Sequence, residues 1–272
     1  MACEIRDTEA EESDTVREQR EPVQARSAHG LFQYTRHRPC LSGRRDRGIA
    51  FDMPLSPADF VAELDKDNRS RLERITAAAT AGEAPPELNV ERLLVAALKN
   101  EIEATECAAQ WIASTPEIDV KLAFARQAGD EAKHYRLLQK RLAALGVDAS
   151  DHDPFAAGRS PLLAYLSGLE STVERVAAGP FTREALALAR NAVFIRFCEE
   201  QGDAESAALY RDVIQPDEAH HHELGRDLLL RLATTDVAQT RARTAARRVL
   251  ELAEELQEIA HLKSGMSRLP GC

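Results

Sequence analysis

Apolar residues fall at helical spacing along almost the whole chain from residue 53 onward, and nowhere do they alternate as a half-buried strand requires. The first such stretch, Pro57 to about Ala81, places Phe60, Leu64, Leu72 and Ile75 on one face and stops at Gly82 and Pro85-Pro86. Asn89 is an N-cap for a helix reaching about Ser114, with Leu93, Leu94, Ala97, Leu98, Ile102 and Trp111 on its apolar side. Thr115-Pro116 interrupts the pattern, and a second helix follows from about Glu117 to Leu145, closed by Gly146. After a polar loop, Asp148 to Arg159, a segment at Pro161–Ala178 is expected to end at Gly179-Pro180. A third bundle helix is predicted from about Thr182 to Gln201. A fourth runs from the Gly202-Asp203 turn to about Ala233, and a last amphipathic helix covers roughly 237–262.

The connections decide the topology. Tight turns make helices one and two an antiparallel hairpin, and helices three and four another. The roughly thirty-five residues between them are the long crossover that separates one class of four-helix bundle from simple up-and-down bundles. The fold class predicted is therefore all-α: a four-helix bundle over about 88–233 with a long crossover, flanked by an N-terminal helix and a C-terminal helix. Residues 1–52 follow no period, with acidic residues crowding the first twenty and arginines the next thirty. They read as a disordered tail or as the product of an upstream start, with Met53 a natural beginning and 53–272 the helical domain.

Composition narrows the class further. A content of 44% hydrophobic but only 5% aromatic residues suits a helical bundle, and the formal charge of −10 argues against a broad basic face for nucleic acid. The five cysteines are scattered without a CxxC pair, which excludes a zinc ribbon, a rubredoxin-type iron site and a disulfide framework. With no membrane-length apolar run and an acidic start, the expectation is a reduced, cytoplasmic protein.

Within this frame one five-residue word occurs twice, as DEAKH at Asp130–His134 and DEAHH at Asp217–His221. Each copy sets a glutamate and a histidine three residues apart, on one helical face. Each also follows a helix-breaking residue, Gly129 or Pro216. Two Glu-x-x-His helices supply half the ligands of a buried metal pair, and one carboxylate from each of two further helices supplies the rest. Such a site lies at one height on all helices. Glu131 stands about fifteen residues beyond the first turn and Glu101 about fifteen before it. Glu218 stands about sixteen beyond the second turn, and Glu184 is the carboxylate nearest the matching height on helix three. The predicted metal set is Glu101, Glu131, His134, Glu184, Glu218 and His221, with His222 as a substitute for His221. Asp130 and Asp217 are candidates to accept a hydrogen bond from the ligand imidazoles. Glu103 is assigned to the helix surface. Cys107, Cys198 and Trp111 are read as core. The breaks at Gly129 and Pro216 are expected to loosen the helix ahead of each motif.

Four carboxylates and two imidazoles suit two iron ions, with manganese as the other choice. This constellation resembles the ferritin-like di-iron carboxylate superfamily. The stretches NEIEATECAAQW, DEAKHYRLLQKRLAALGV and GDAESAALYRDVIQPDEAHH are similar to its bacterial branch that includes the di-iron tRNA hydroxylase. The resemblance covers roughly residues 88–232 and implies a non-haem oxidoreductase that activates O₂ or peroxide to oxidise or hydroxylate its substrate. It also gives Glu106 a counterpart near the metals. The substrate is a small molecule or a modified nucleoside. An external electron donor is implied because the chain has no redox module of its own. A monomer or dimer is expected, without membrane or nucleic-acid binding. The alternatives are a ferroxidase that handles iron, and a helical interaction protein whose metal pair is structural.

Overall fold

The computed structural model describes residues 54–80, 88–264 and 270–271. The expected tail at 1–52 lies outside the described residues. Every regular element among them is helical: α1 (Pro57–Ala79), α2 (Val90–Ser114), α3 (Ile118–Ala144), α4 (Pro161–Ser167), α5 (Thr172–Val176), α6 (Glu184–Glu200), α7 (Ala204–Leu209), α8 (Gln215–Leu232) and α9 (Asp236–Ser264). Two π-helical segments, Ala177–Arg183 and Tyr210–Ile214, join α5 to α6 and α7 to α8 without a break. No helix among the described residues is long and apolar enough to cross a membrane.

Local chemistry accounts for the ends of these helices. The Asn89 side chain accepts the Arg92 N–H at 2.9 Å and starts α2, and Ser56 does the same for α1 from Asp59. Between α6 and α7, Gly202 takes φ +78°, and the Asp203 side chain accepts the Ser206 N–H at 2.9 Å. Arg141, near the end of α3, donates to Asp203 at 2.6 Å and to Ser206 Oγ at 2.9 Å. The top of the first hairpin is thereby tied to the turn of the second. At the opposite end, Thr172 at the start of α5 donates to Glu117 at the start of α3, 2.7 Å away. The two hairpin turns thus sit at opposite ends, and α3 and α6 run in the same direction. The crossover must return the whole length of the bundle. It descends along α2, where Lys99 meets Gly158, Glu103 meets Ser160 and Gln110 meets Ser167 in order. At 1.5 Å per residue α3 alone is about 40 Å long, so a short loop cannot make this connection.

Two sequence expectations fail here. The segment expected at Pro161–Ala178 ends at Ser167, and the third bundle helix begins at Thr172, ten residues before the predicted Thr182. Its start is a capping box: Ser171 Oγ accepts from the Glu174 backbone, and the Glu174 carboxylate accepts the Ser171 N–H at 3.1 Å. The helix then passes through Gly179-Pro180. A proline in an α-helix lacks a donor and its ring strikes the carbonyl four residues back; the wider π turn moves that carbonyl away. Ahead of Pro216 the same device recurs as the Tyr210–Ile214 segment. Gly129, by contrast, lies inside an unbroken α3.

Close packing fixes the first π segment. A Cβ on Gly179 would fall 2.7 Å from the Trp111 ring, and one on Gly225 of α8 would fall 2.6 Å from the Phe181 nitrogen. Only glycine lets α8 lie directly on that backbone. α9 covers the other side of the segment and α1 packs along α9, where Arg243 pairs with Glu63 and Asp67. The apolar interior forms two main layers. One gathers Trp111, Phe124, Phe181 and Leu228 with α1 and α9; the other gathers Leu94, Leu98, Leu138, Phe194, Phe197 and Tyr210.

Gly225→Ala is expected to destabilise the fold by about 1–3 kcal/mol, because the backbone of Phe181 has no rotamer by which to yield. Gly129→Ala, on an exposed face with nothing within 4 Å of the added carbon, is expected to stabilise by about 0.5–1 kcal/mol. Urea unfolding of the two variants measures both signs.

Candidate metal centre

Between the two apolar layers lies a polar one. Glu101 of α2, Glu131 and His134 of α3, Glu184 of α6, and Glu218 and His221 of α8 are all buried, five at 0% exposure and His221 at 1%. Their ligand atoms converge in two overlapping groups, Glu101–Glu131–His134–Glu218 and Glu131–Glu184–Glu218–His221, each with its atoms within 4.8 Å of one another. Glu131 and Glu218 belong to both groups. Glu101 with His134 completes one, and Glu184 with His221 the other.

The histidines are set in a crossed pattern. His134 Nε2 lies 3.1 Å from the Asp217 carboxylate, and His221 Nε2 lies 3.1 Å from that of Asp130. Each imidazole is therefore held by the aspartate of the other motif. An ionised carboxylate accepts the Nε2–H, so Nδ1 is the nitrogen turned inward to the glutamates, where it can carry a proton in the metal-free cluster or give its lone pair to a cation. His134 Nδ1 lies 3.3 Å from Glu131, 3.5 Å from Glu101 and 3.6 Å from Glu218. His221 Nδ1 lies 3.5 Å from Glu218 and 3.7 Å from Glu131, and makes no hydrogen bond. Both oxygens of Glu101 are likewise buried without a hydrogen bond. A buried acceptor with no donor costs free energy unless a cation completes it.

Charge points the same way. Burial pushes Glu101 up to about 7, against the pull of His134, and burial with the Glu131 charge pushes Glu218 up to about 8. Burial and the charges of Glu218 and Glu131 raise Glu184 well above the ordinary carboxylate range. Burial also works to raise Glu131, but His134, His221 and Arg183 outweigh it and hold that carboxyl low. His134 is depressed by burial yet pushed up to about 12 by Glu101 and Glu131. With protons as the only counter-charge, the cluster traps them; divalent cations bring the same compensation in fewer particles. The donor set and the partnerless atoms fit metal ions, and this buried cluster could hold them.

The structure brings the six predicted residues to one height. The neighbouring assignments are corrected. Glu106, placed near the metals by resemblance, lies toward the surface and pairs with Arg159 at 2.9 Å. Glu103, assigned to the surface, is buried and accepts the Ser160 N–H at 2.7 Å, beside the crossover. The two side chains stand three residues apart, less than one turn, and meet different parts of the crossover. His222 turns away: its Nδ1 donates to the Phe181 carbonyl at 2.7 Å and its ring stacks on Phe181. Cys107 and Cys198 are free, buried thiols.

Sequence reasoning missed three residues. Gln127, one turn before Glu131, donates to Glu184. Arg183, buried beside Glu184, donates to the Asn100 carbonyl at 3.2 Å and brings a positive charge close to the carboxylates. Asn191, two turns beyond Glu184, is fully buried. Gln127 and Asn191 were marked only by their helical register with a ligand glutamate.

Removing one of the crowded charges should favour the metal-free fold. Glu218→Gln is expected to raise the melting temperature of chelator-stripped protein, by about 1–2 kcal/mol of relieved repulsion. The same change should abolish the further rise that the wild type shows when Mn(II) is added. Calorimetry with and without the ion reads both effects.

No curated protein and no solved structure matches the chain. The sequence profile of one family, DUF455, described as a protein of unknown function, matches residues 89–268 and so spans all six residues of the cluster; the chain belongs to the DUF455 family.

Proposed function

We propose that this protein holds two iron ions, with manganese the other choice, and is an oxidoreductase that activates O₂ or peroxide to oxidise or hydroxylate an organic substrate. The observation that carries the reading is the crossed pair of His–Asp contacts, with two carboxylates common to both ligand groups. A salt-bridge cluster has no need to turn Nδ1 of both imidazoles inward and back each Nε2 with an aspartate, whereas a metal pair does. Two glutamates common to both groups are suited to bridging, and Glu101 and Glu184 to binding one ion each. The helix order, the opposed hairpin turns and the long crossover support a ferritin-like bundle, and with it the di-iron resemblance.

When bound, two ferrous ions supply together the two electrons that reduce O₂ to the level of peroxide. The chain's own contribution is placement. Asp130 and Asp217 hold the imidazoles, Gln127 orients Glu184, and the two apolar layers keep bulk water from the oxidising centre. Turnover needs electrons from a separate donor, since the chain has no CxxC pair or flavin fingerprint. The packing of α1 and α9 around the second hairpin covers a face that a storage cage would use, which favours the enzyme over a ferroxidase store.

Elemental analysis of protein loaded anaerobically with Fe(II) should give about two ions per chain. Glu131→Ala and His221→Ala should lose the pair, and Asp130→Ala or Asp217→Ala should weaken binding by about 10–100-fold. Full occupancy in the first two variants rejects the ligand set. An oxygen electrode should then record about one O₂ consumed per two Fe(II), by the electron count above. Uptake of iron far beyond two per chain into a large cage would establish the storage reading instead.

A further inference from the structure

Glu101 and Glu184 stand on α2 and α6, helices that belong to different hairpins. Just beyond these carboxylates α2 and α6 meet through two small residues, Ala104 and Ala187, which form a buried contact of their own. Toward the other end of the bundle, at Asn100 and Asn191, the space between the helices is filled by a segment from elsewhere in the chain. Pro270 and Gly271, which follow α9, are both buried there. The Gly271 N–H donates to Asn191 Oδ1 at 2.7 Å, and Asn100 Nδ2 donates to the Pro270 carbonyl at 3.0 Å. Gly271 adopts φ +88°, and a Cβ on it would lie 3.5 Å from Glu101 Oε1. The segment therefore lies against the Glu101 carboxylate, whose own nearest polar contact is His134 Nδ1 at 3.5 Å.

We infer that the seam between α2 and α6 is the way into the metal centre, and that Pro270–Gly271 is a removable stopper in it. This rests on the metal reading above. Three features separate the segment from ordinary core packing. It is held by two side-chain hydrogen bonds, one to each helix of the seam. Proline and glycine bring little side chain, so the cluster is closed by backbone that leaves again at small cost. The contact is made with Asn100, next in sequence to Glu101, and with Asn191, on the face of α6 that carries Glu184. Elsewhere α2 packs on α3 and α6 on α8 within each hairpin, and across the α3–α8 seam the crossed His–Asp contacts close the level of the cluster.

The test is the rate at which bound zinc leaves. Zinc accepts the nitrogen and oxygen ligands of this cluster and undergoes no redox change, so release to a chromogenic chelator reports access alone. A chain ending at Leu269 should bind zinc with the wild-type stoichiometry and release it about 25-fold faster, the factor set by two hydrogen bonds of ordinary net strength. Asn191→Ala, which removes only the acceptor of the Gly271 N–H, should release it about fivefold faster, by the same estimate for one bond. Circular dichroism confirms the helical content of each variant. If both variants bind zinc and release it at the wild-type rate, the stopper is rejected and the metal reading stands. A wild-type chain that binds no zinc, iron or manganese rejects both.

Discussion

Four buried glutamates at one height are the constraint around which this bundle is arranged. Taking one carboxylate out of water costs several kcal/mol even after relaxation, and like charges a few ångströms apart add to it. The chain returns only part of this, through two imidazoles and the nearby guanidinium of Arg183. The apolar layers above and below offset the rest in the metal-free fold, each anchored by large buried rings such as Trp111 and Phe124 or Phe194 and Tyr210. Such a layer is a poor choice for stability alone, since apolar side chains in the same positions would be cheaper. It is a sound choice when cations complete it.

The position of the cluster was legible in the sequence because hairpins convert sequence distance into height. Both turns are visible, Thr115-Pro116 and Gly202-Asp203, and counting about fifteen residues from each reaches mid-bundle on every arm. This works although the turns lie at opposite ends, because the middle is the one level equally far from both. The repeated Asp was legible too, as an acceptor for the imidazoles. That each Asp serves the histidine of the other copy was not, because spacing along one helix carries no information about what faces it across the interface.

What sequence reading lost follows from rules that packing overrides. Gly179-Pro180 has the chemistry of a helix end, and the capping box at Ser171–Glu174 was the competing signal for where the helix starts. The π segment reconciles them by widening the turn around the proline, and it is held by Gly225 from one side and by Trp111 over Gly179 from the other. Glu103 and Glu106 differ by less than one turn, yet one is buried under Ser160 and the other reaches Arg159 at the surface. The deciding contact comes from the irregular crossover, which has no periodicity to read.

The two halves of the centre are related by the crossed His–Asp pattern but are not equivalent, and the asymmetry has a structural source. The first hairpin is plain α-helix through its ligands, even past Gly129, whereas both arms of the second carry a π segment ahead of theirs. A π turn adds about one residue without advancing the helix by a full step, so it re-aims the side chains that follow it. It also lets α8 lie closely on the other arm of its hairpin, with α9 on the π segment and α1 along α9. The result is that Glu184 emerges directly from a π segment and accepts a hydrogen bond from Gln127, while Glu101 sits on regular helix with both oxygens unbonded beneath Pro270–Gly271. Glu184 is thus held by a hydrogen bond, whereas Glu101 has only the longer 3.5 Å contact to His134 Nδ1. The asymmetry of the two hairpins therefore reaches the cluster itself: of the two carboxylates that belong to one ligand group each, the one with the weaker hold is the one facing the seam.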